Sequence, residues 1–427
     1  MAIRVFVWTV PALVLLFVAD CMAGPETLDS LIQAALENNR ELIASSSRYQ
    51  SMKHEADAAG ALPDPQFTIS AMDLPRKTLS LTEMEMSGIS VGLSQVIPWP
   101  SKLSATSRVS RLTAEMELSN VKGRRNSLVR EIKHAYYEYS YWSFAENIID
   151  ENIKLGEDII DFMETRYSTG RASLEEVTSA RVSKSELDNE KLDIRAQIRS
   201  AVFMLSQLVN DTTLTDSTLV PFLTLNLDDS LKQTPDFSNN PMLAGAATKY
   251  EAARAKHSLA KSEYWPELMV GADYLIRKYD TSQVMAGIMF PGEDMWSFHF
   301  GFTLPLWFFA KQNKMKTAAR YEIDAARAEQ QFVDLQLKQS VKEAQSQLES
   351  LRQRTRHFIK SIIPLSEAAY NSGFVAYEVG QIDFESLLED QMNLYESKLE
   401  HIELVKEYHQ TKAYLDELTG KEYGELK

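Results

Sequence analysis

Apolar residues along this chain follow two rhythms in alternation. From about Thr27 to Gly60 they recur at i, i+3 and i+4 (Leu28, Leu31, Ile32, Ala35, Leu36), which predicts a helix with a weak point at Asn38-Asn39. Leu62-Pro63-Asp64-Pro65 stops it. The period then falls to two. Phe67, Ile69 and Ala71 alternate with Gln66, Thr68 and Ser70, and Ile89, Val91 and Leu93 alternate with Ser90, Gly92 and Ser94. A polar stretch from about Pro75 to Ser87 joins these two strands into a hairpin that ends at Pro98-Trp99-Pro100. From Lys102 to about Tyr167 no proline interrupts a helical pattern whose apolar positions (Leu128, Ile132, Tyr136, Tyr139, Ile148, Ile149, Leu155, Ile159) suit a coiled-coil-like seam. Gly170 turns the chain, and a helix about half as long runs from Ser173 to Val209. The first and fourth helices, stacked end to end, would match the long one.

After a break rich in Asp, Asn and Pro, the same programme restarts. Asn39, Leu42, Tyr49 and Pro65 align with Asn240, Leu243, Tyr250 and Pro266 at a constant offset. Two further alternating strands follow: Leu268, Val270, Ala272, Tyr274 and Ile276, then Phe298, Phe300, Phe302 and Leu304. A long helical stretch from about Lys311 to Tyr377 carries Pro364 as an expected kink. Gly380 turns it, Phe384 to Leu418 returns, and Gly420 caps the end. Tyr167-Ser-Thr-Gly170-Arg-Ala-Ser-Leu174-Glu-Glu-Val177 reappears as Tyr377-Glu-Val-Gly380-Gln-Ile-Asp-Phe384-Glu-Ser-Leu387. The expectation is an internal two-fold repeat: residues 24–209 with a hairpin at 66–98, a linker at 210–239, residues 240–420 with a hairpin at 267–305, and a tail at 421–427.

The N-terminus adds an address. Arg4 and the apolar run Val10 to Ala19, too short to span a bilayer, read as a secretory signal cleaved after Ala23. Lipidation of Cys21 is the alternative, although Asp20 fits that motif poorly. Cys21 is the single cysteine, so the mature chain can form no internal disulfide and rests on packing alone. A net charge of −15 argues against nucleic acid, which asks for a basic face. It suits attraction of cations into any channel the protein lines.

Strands of about ten residues with one apolar face match the length that crosses an outer membrane at a tilt. Four cannot close, and an open edge in lipid leaves backbone groups unpaired. Copies must then pool strands, and three copies giving twelve is the natural count. The competing reading is a small soluble sheet resting on helices.

The ordered set of doubled Tyr-x-x-Gly turns, two strand hairpins and a central linker resembles the outer-membrane efflux protein family, of which TolC is the name-giver. Ala61-Leu62-Pro63-Asp64-Pro65 and Ser94-Gln95-Val96-Ile97-Pro98-Trp99 look like the branch that serves heavy-metal cation pumps. The resemblance implies an α+β membrane protein: a homotrimer with a twelve-stranded transmembrane β-barrel and a helical periplasmic tunnel. It also implies a periplasmic adaptor protein, an inner-membrane pump of the resistance-nodulation-division type, and no cofactor. Its gate would lie at the Gly170 and Gly380 turns. An acid six positions past the first glycine, here Glu176, would bond a tyrosine three positions before the second, here Tyr377. The basic partner expected two positions after the second glycine is Ile382, which departs from the pattern. Of the acids expected six and nine positions after it, Ser386 departs and Glu389 fits, with Asp383, Glu385 and Glu175 nearby as further acids.

Rival chemistry is sparse. The seven histidines lack metal-hydrolase spacing and read as dispersed surface residues, with His401 and His409 on one helix face. Met84, Met86, Met285, Met289 and Met295 would offer thioethers to copper or silver. Trp99, Trp296 and Trp307 fall at strand ends, where aromatic belts meet lipid headgroups. No enzyme motif appears. Type I protein secretion, or a periplasmic coiled-coil adaptor without a pore, are the alternative functions.

Overall fold

The computed structural model describes residues 27–81, 86–225, 236–277 and 293–421. The signal segment, Cys21, Met84, Met285 and Met289, and part of the linker lie outside them.

The two halves share a helix–strand–strand–helix middle and differ at their ends, a leading helix being extra in the first and the long helix of the second being divided in two. The first contains α1 (Leu28–Asn38), α2 (Arg40–Ala58), β1 (Gln66–Met72), β2 (Gly88–Ile97), α3 (Pro100–Ser168) and α4 (Leu174–Val209). The second contains α5 (Pro241–Ser262), β3 (Leu268–Ile276), β4 (Met295–Phe302), α6 (Gln312–His357), α7 (Ile363–Glu378) and α8 (Phe384–Leu418). The long helix begins two residues before Lys102, because Pro100 suits the first helical position, where no N–H is needed. With 69 residues, α3 runs roughly 100 Å at about 1.5 Å per residue. Its predicted seam is the core: Leu128, Ile132, Tyr136, Tyr139, Ile149 and Ile159 are buried, and Ile148 and Leu155 pack against the same clusters.

Pro364 is absorbed by a π-turn at Phe358–Ile362 rather than by a simple kink. The proline cannot donate to the carbonyl four residues back. Widening the preceding turn lets Ile363 N–H bond Phe358 O instead, so α6 passes into α7 without a loop.

The end-to-end stacking has a specific splint. Asn39 accepts from Glu41 N–H and Leu42 N–H through its Oδ1 (both 3.1 Å), and its Nδ2 donates to Leu208 O at 2.9 Å. One side chain thus satisfies the orphan donors of α2 and an orphan acceptor at the end of α4. Asn240 does the same between α8 and α5, accepting from Met242 N–H at 2.7 Å and donating to Leu418 O at 2.8 Å. The chain leaves α4 and α8 through left-handed residues, Asn210 and Gly420.

Packing arranges the helices as one layer of four columns. The stacked α4 and α2 flank α3; the stacked α8 and α5 follow it; α6 with α7 forms the far flank. The sheet continues the layer in the same order, β1-β2-β3-β4, all antiparallel. Each column carries one strand at its end: α2 leads into β1, β2 into α3, α5 into β3, and β4 into α6. At the junction Lys102 Nζ bridges Glu263 at 3.1 Å and Glu267 at 2.6 Å.

The linker is stitched to the middle of the layer. Tyr136 Oη donates to Val220 O at 2.6 Å, Ser140 Oγ accepts from Phe222 N–H at 3.1 Å, and His409 Nε2 lies 2.8 Å from Thr224 O. His409 also stacks on Tyr137, with ring centroids 4.5 Å apart. His401 and His409 are therefore half-buried packing residues rather than dispersed surface ones, and burial lowers both pKa values.

Candidate functional site

The helix-turn end of the layer brings together residues far apart in sequence. Both turns close alike. Gly170 N–H bonds Tyr167 O and Arg171 N–H bonds Arg166 O; Gly380 N–H bonds Tyr377 O and Gln381 N–H bonds Ala376 O. The glycines sit at φ of 71° and 75°, in the left-handed region that a Cβ disfavours. The next helix is then capped at equivalent positions, by Ser173 on Glu176 N–H (3.1 Å) and by Asp383 on Ser386 N–H (2.9 Å). That hydrogen bond holds the Asp383 carboxyl below its ordinary range.

Tyr377 is buried in a small apolar cluster with Ile159, Met163, Val177, Phe384 and Leu387. Its hydroxyl lies 2.9 Å from Met163 Sδ. Burial, and then the charge of Glu176, raise its pKa, while Arg166 opposes them. Glu176 is thus within electrostatic reach, but its carboxylate accepts from Ser173 N–H at 2.7 Å, completing a capping box. The hydrogen bond expected between Glu176 and Tyr377 is not formed in this chain, because each has a nearer partner. Glu175, Asp383, Glu385 and Glu389 are exposed around the two turns.

Arg166, in the last turn of α3, is the residue that sequence reasoning missed. Its Nη1 donates to Tyr377 O at 3.0 Å and Glu378 O at 3.2 Å, and its guanidinium carbon lies 5.0 Å from the centre of the Tyr377 ring. It therefore clips α3 to the carbonyl end of α7, with a cation at the negative pole of a helix. The only signal in the sequence was a base in the last turn of a long helix. Ile382, where a base was expected, packs against the Tyr377 cluster instead.

At the other end, one face of the sheet is apolar and bare. Its rows run Phe67, Leu93, Ala272, Phe298 and Ile69, Val91, Tyr274, Trp296. Phe300 is 81% exposed. Trp99 stacks on Trp265 at 5.1 Å and, with Trp307, marks the helix-side end of the strands; Trp296 marks the other. The middle of the opposite face is polar, with rows Gln66, Ser94, Gly271, His299 and Thr68, Gly92, Asp273, Ser297, flanked by Leu275 and Met295 on one side and Val96 and Met269 on the other.

A model of the outer membrane efflux protein family matches residues 31–211 and 237–421. The chain belongs to that family. Among relatives, it is similar to the cobalt-zinc-cadmium resistance protein CzcC of Cupriavidus metallidurans. The two are 22% identical over 415 residues, spanning 93% of this chain and 91% of the relative. Solved structures share its fold at 16% identity. CusC matches with a TM-score of 0.79 over 92% of this chain and 91% of its own, and VceC of Vibrio cholerae with 0.76 over 92% and 96%. As an outer membrane efflux protein, the chain has the fold of channels rather than of enzymes. Among the described residues no helix is long and apolar enough to cross a membrane. The bare apolar face of the sheet is the surface suited to lipid.

Proposed function

We propose that this protein is the exit duct of a tripartite efflux system: a homotrimer whose twelve strands form a barrel in the outer membrane and whose helices form a periplasmic tunnel. The observation that carries this reading is the single layer of four columns, each bearing a strand, with both flanks open. An apolar face supports contact with lipid, and the edges that β1 and β4 leave unpaired among the described residues support closure by copies. Exposed apolar residues along the flanking helices support the same closure: Leu174, Val182, Leu192 and Phe203 on α4, Tyr321 and Phe332 on α6.

In this reading the turns at Gly170 and Gly380 form the periplasmic mouth, facing an adaptor protein and an inner-membrane pump of the resistance-nodulation-division type. Tyr377, buried against α3 and clipped by Arg166, holds α7 in place at the mouth, and Glu176 caps α4 beside it. Glu175, Asp383, Glu385 and Glu389, repeated by three-fold symmetry, favour cations there. The similarity to CzcC supports heavy-metal cations as the substrate class.

Purified protein should need detergent, run as a trimer and conduct ions in planar bilayers. A soluble monomer without conductance would sink the duct. Tyr377→Phe combined with Glu176→Ala should raise single-channel conductance; an unchanged value removes both from the gate. Deletion of the gene should sensitise cells to cobalt, zinc or cadmium, and an unchanged metal profile would overturn the substrate class.

A further inference from the structure

We infer that His299 and Asp273 form a weak binding station for imidazole-seeking transition-metal dications, Zn²⁺ being the test case, inside the barrel. The inference deepens the duct reading and rests on it, since it needs the polar face of the sheet to line the lumen. His299 lies opposite Gly271 on the neighbouring strand, and Asp273 lies opposite Ser297, so the two side chains are diagonal neighbours on that face. His299 Nδ1 is 3.0 Å from Asp273 Oδ2, with both side chains partly open to solvent. The carboxylate can only accept, so Nδ1 donates to it, and Nε2 is the ring nitrogen left for a metal. This is the arrangement in which an outer carboxylate orients a histidine and raises its basicity toward a metal.

The two places where the pair lies against the sheet are both glycine. A Cβ on Gly271 would overlap the imidazole, and one on Gly92 would overlap the Asp273 carboxylate. The backbone is thus cleared for the ring and its orienting acid side by side. The rest of the two rows is uncharged (Gln66, Ser94, Thr68, Ser297), so no lysine or arginine in them competes for the carboxylate.

Among the described residues there is no cluster of three or more metal-ligating side chains. One oriented imidazole per chain binds a dication weakly, with water filling the other positions. Weak binding suits a conduit, where an ion must be attracted enough to enter and released fast enough to leave. The donor also discriminates: imidazole suits zinc, copper, cobalt and nickel, whereas magnesium prefers oxygen donors.

The test uses the full chain in planar bilayers carrying K⁺ current. Added Zn²⁺ should reduce that current reversibly, and equal Mg²⁺ should not. His299→Ala should abolish the Zn²⁺ effect while K⁺ current persists. Asp273→Asn should move its midpoint to about tenfold higher Zn²⁺. K⁺ current with no Zn²⁺-specific effect, or an effect that survives His299→Ala, overturns the station and leaves the duct standing. No K⁺ current from the wild-type protein overturns the duct, and the station with it.

Discussion

The two helix turns share a sequence frame, a glycine conformation and a capping position, yet they differ in what they bury. Tyr377 is 4% exposed and Tyr167 is 48% exposed; Phe384 is 6% exposed and Leu174, its counterpart, 61%. The cause lies outside the turns. Tyr377 has α3 behind it, with Phe162, Met163 and Arg166 supplying an apolar wall and a cation. Tyr167 lies at the outer side of the passage from α3 into α4 and stays exposed, although α4 itself reaches the Tyr377 cluster through Val177 and Ala180. A local motif sets how the chain turns; its neighbours decide whether the turn is a core or a surface.

The strongest way to break this comparison is to truncate both tyrosines. Tyr377→Ala should destabilise the turn region by about 3–5 kcal/mol, the usual scale for removing a buried aromatic side chain. Tyr167→Ala should stay within about 0.5 kcal/mol in the isolated chain. Hydrogen exchange in α7 and α8, alongside denaturant melts, measures both, and equal losses would mean the turns are equivalent after all.

Next in size is the clip. Arg166→Ala removes two charge-assisted hydrogen bonds and a cation over the Tyr377 ring, and should loosen α7 from α3 by about 1.5–3 kcal/mol. The first turn, to which the Arg166 side chain gives only a long contact from Nη2 to Arg171 O at 3.4 Å, should respond far less. Faster exchange confined to α7 and α8, with increased conductance of the reconstituted channel, is the expected pattern.

The caps separate the turns by pH. Ser173→Ala should cost about 1 kcal/mol at any pH, because a hydroxyl cap does not titrate. Asp383 has a folded pKa below its unfolded value, so its contribution is present above the unfolded pKa and is lost as pH falls through the folded one. Acidification below about pH 4 should therefore fray α8 at its start, while at α4 the Ser173 hydroxyl keeps its bond to Glu176 N–H. Asp383→Asn, which caps without titrating, should remove that difference, as read by hydrogen exchange across the acid range. The smallest effect is that of Tyr377→Phe alone. It deletes only the contact to Met163 Sδ and should cost at most about 1 kcal/mol in a denaturant melt.

Much of this was legible in the residues. The strands, the long helices, the turn glycines and the stop at Asn39 all follow from local pattern. Period-two and helical spacing, proline and left-handed glycine act over a few residues and need no neighbours to be read. The alignment of Asn39 with Asn240 was visible too, but not its meaning. That each asparagine caps one helix and donates to the end of another depends on two helix ends meeting across some 170 residues of chain.

Other features could not be read from one segment alone. Arg166 looked like a base at the end of a helix until α7 arrived beside it. Glu176 fitted the gate by position, but its capping box with Ser173 is the shorter-range bond and takes the carboxylate. His299 and Asp273 sit 26 positions apart with nothing in either strand to pair them; the register of β3 against β4 does so. The sequence by itself determined which stretches are helix or strand, which face of each strand is apolar, and where the chain reverses. Only the tertiary structure decided which of two matching tyrosines is buried, which base clips the turns and which histidine meets a carboxylate. Those depend on contacts between segments, and such contacts are set by packing and register rather than by spacing along the chain.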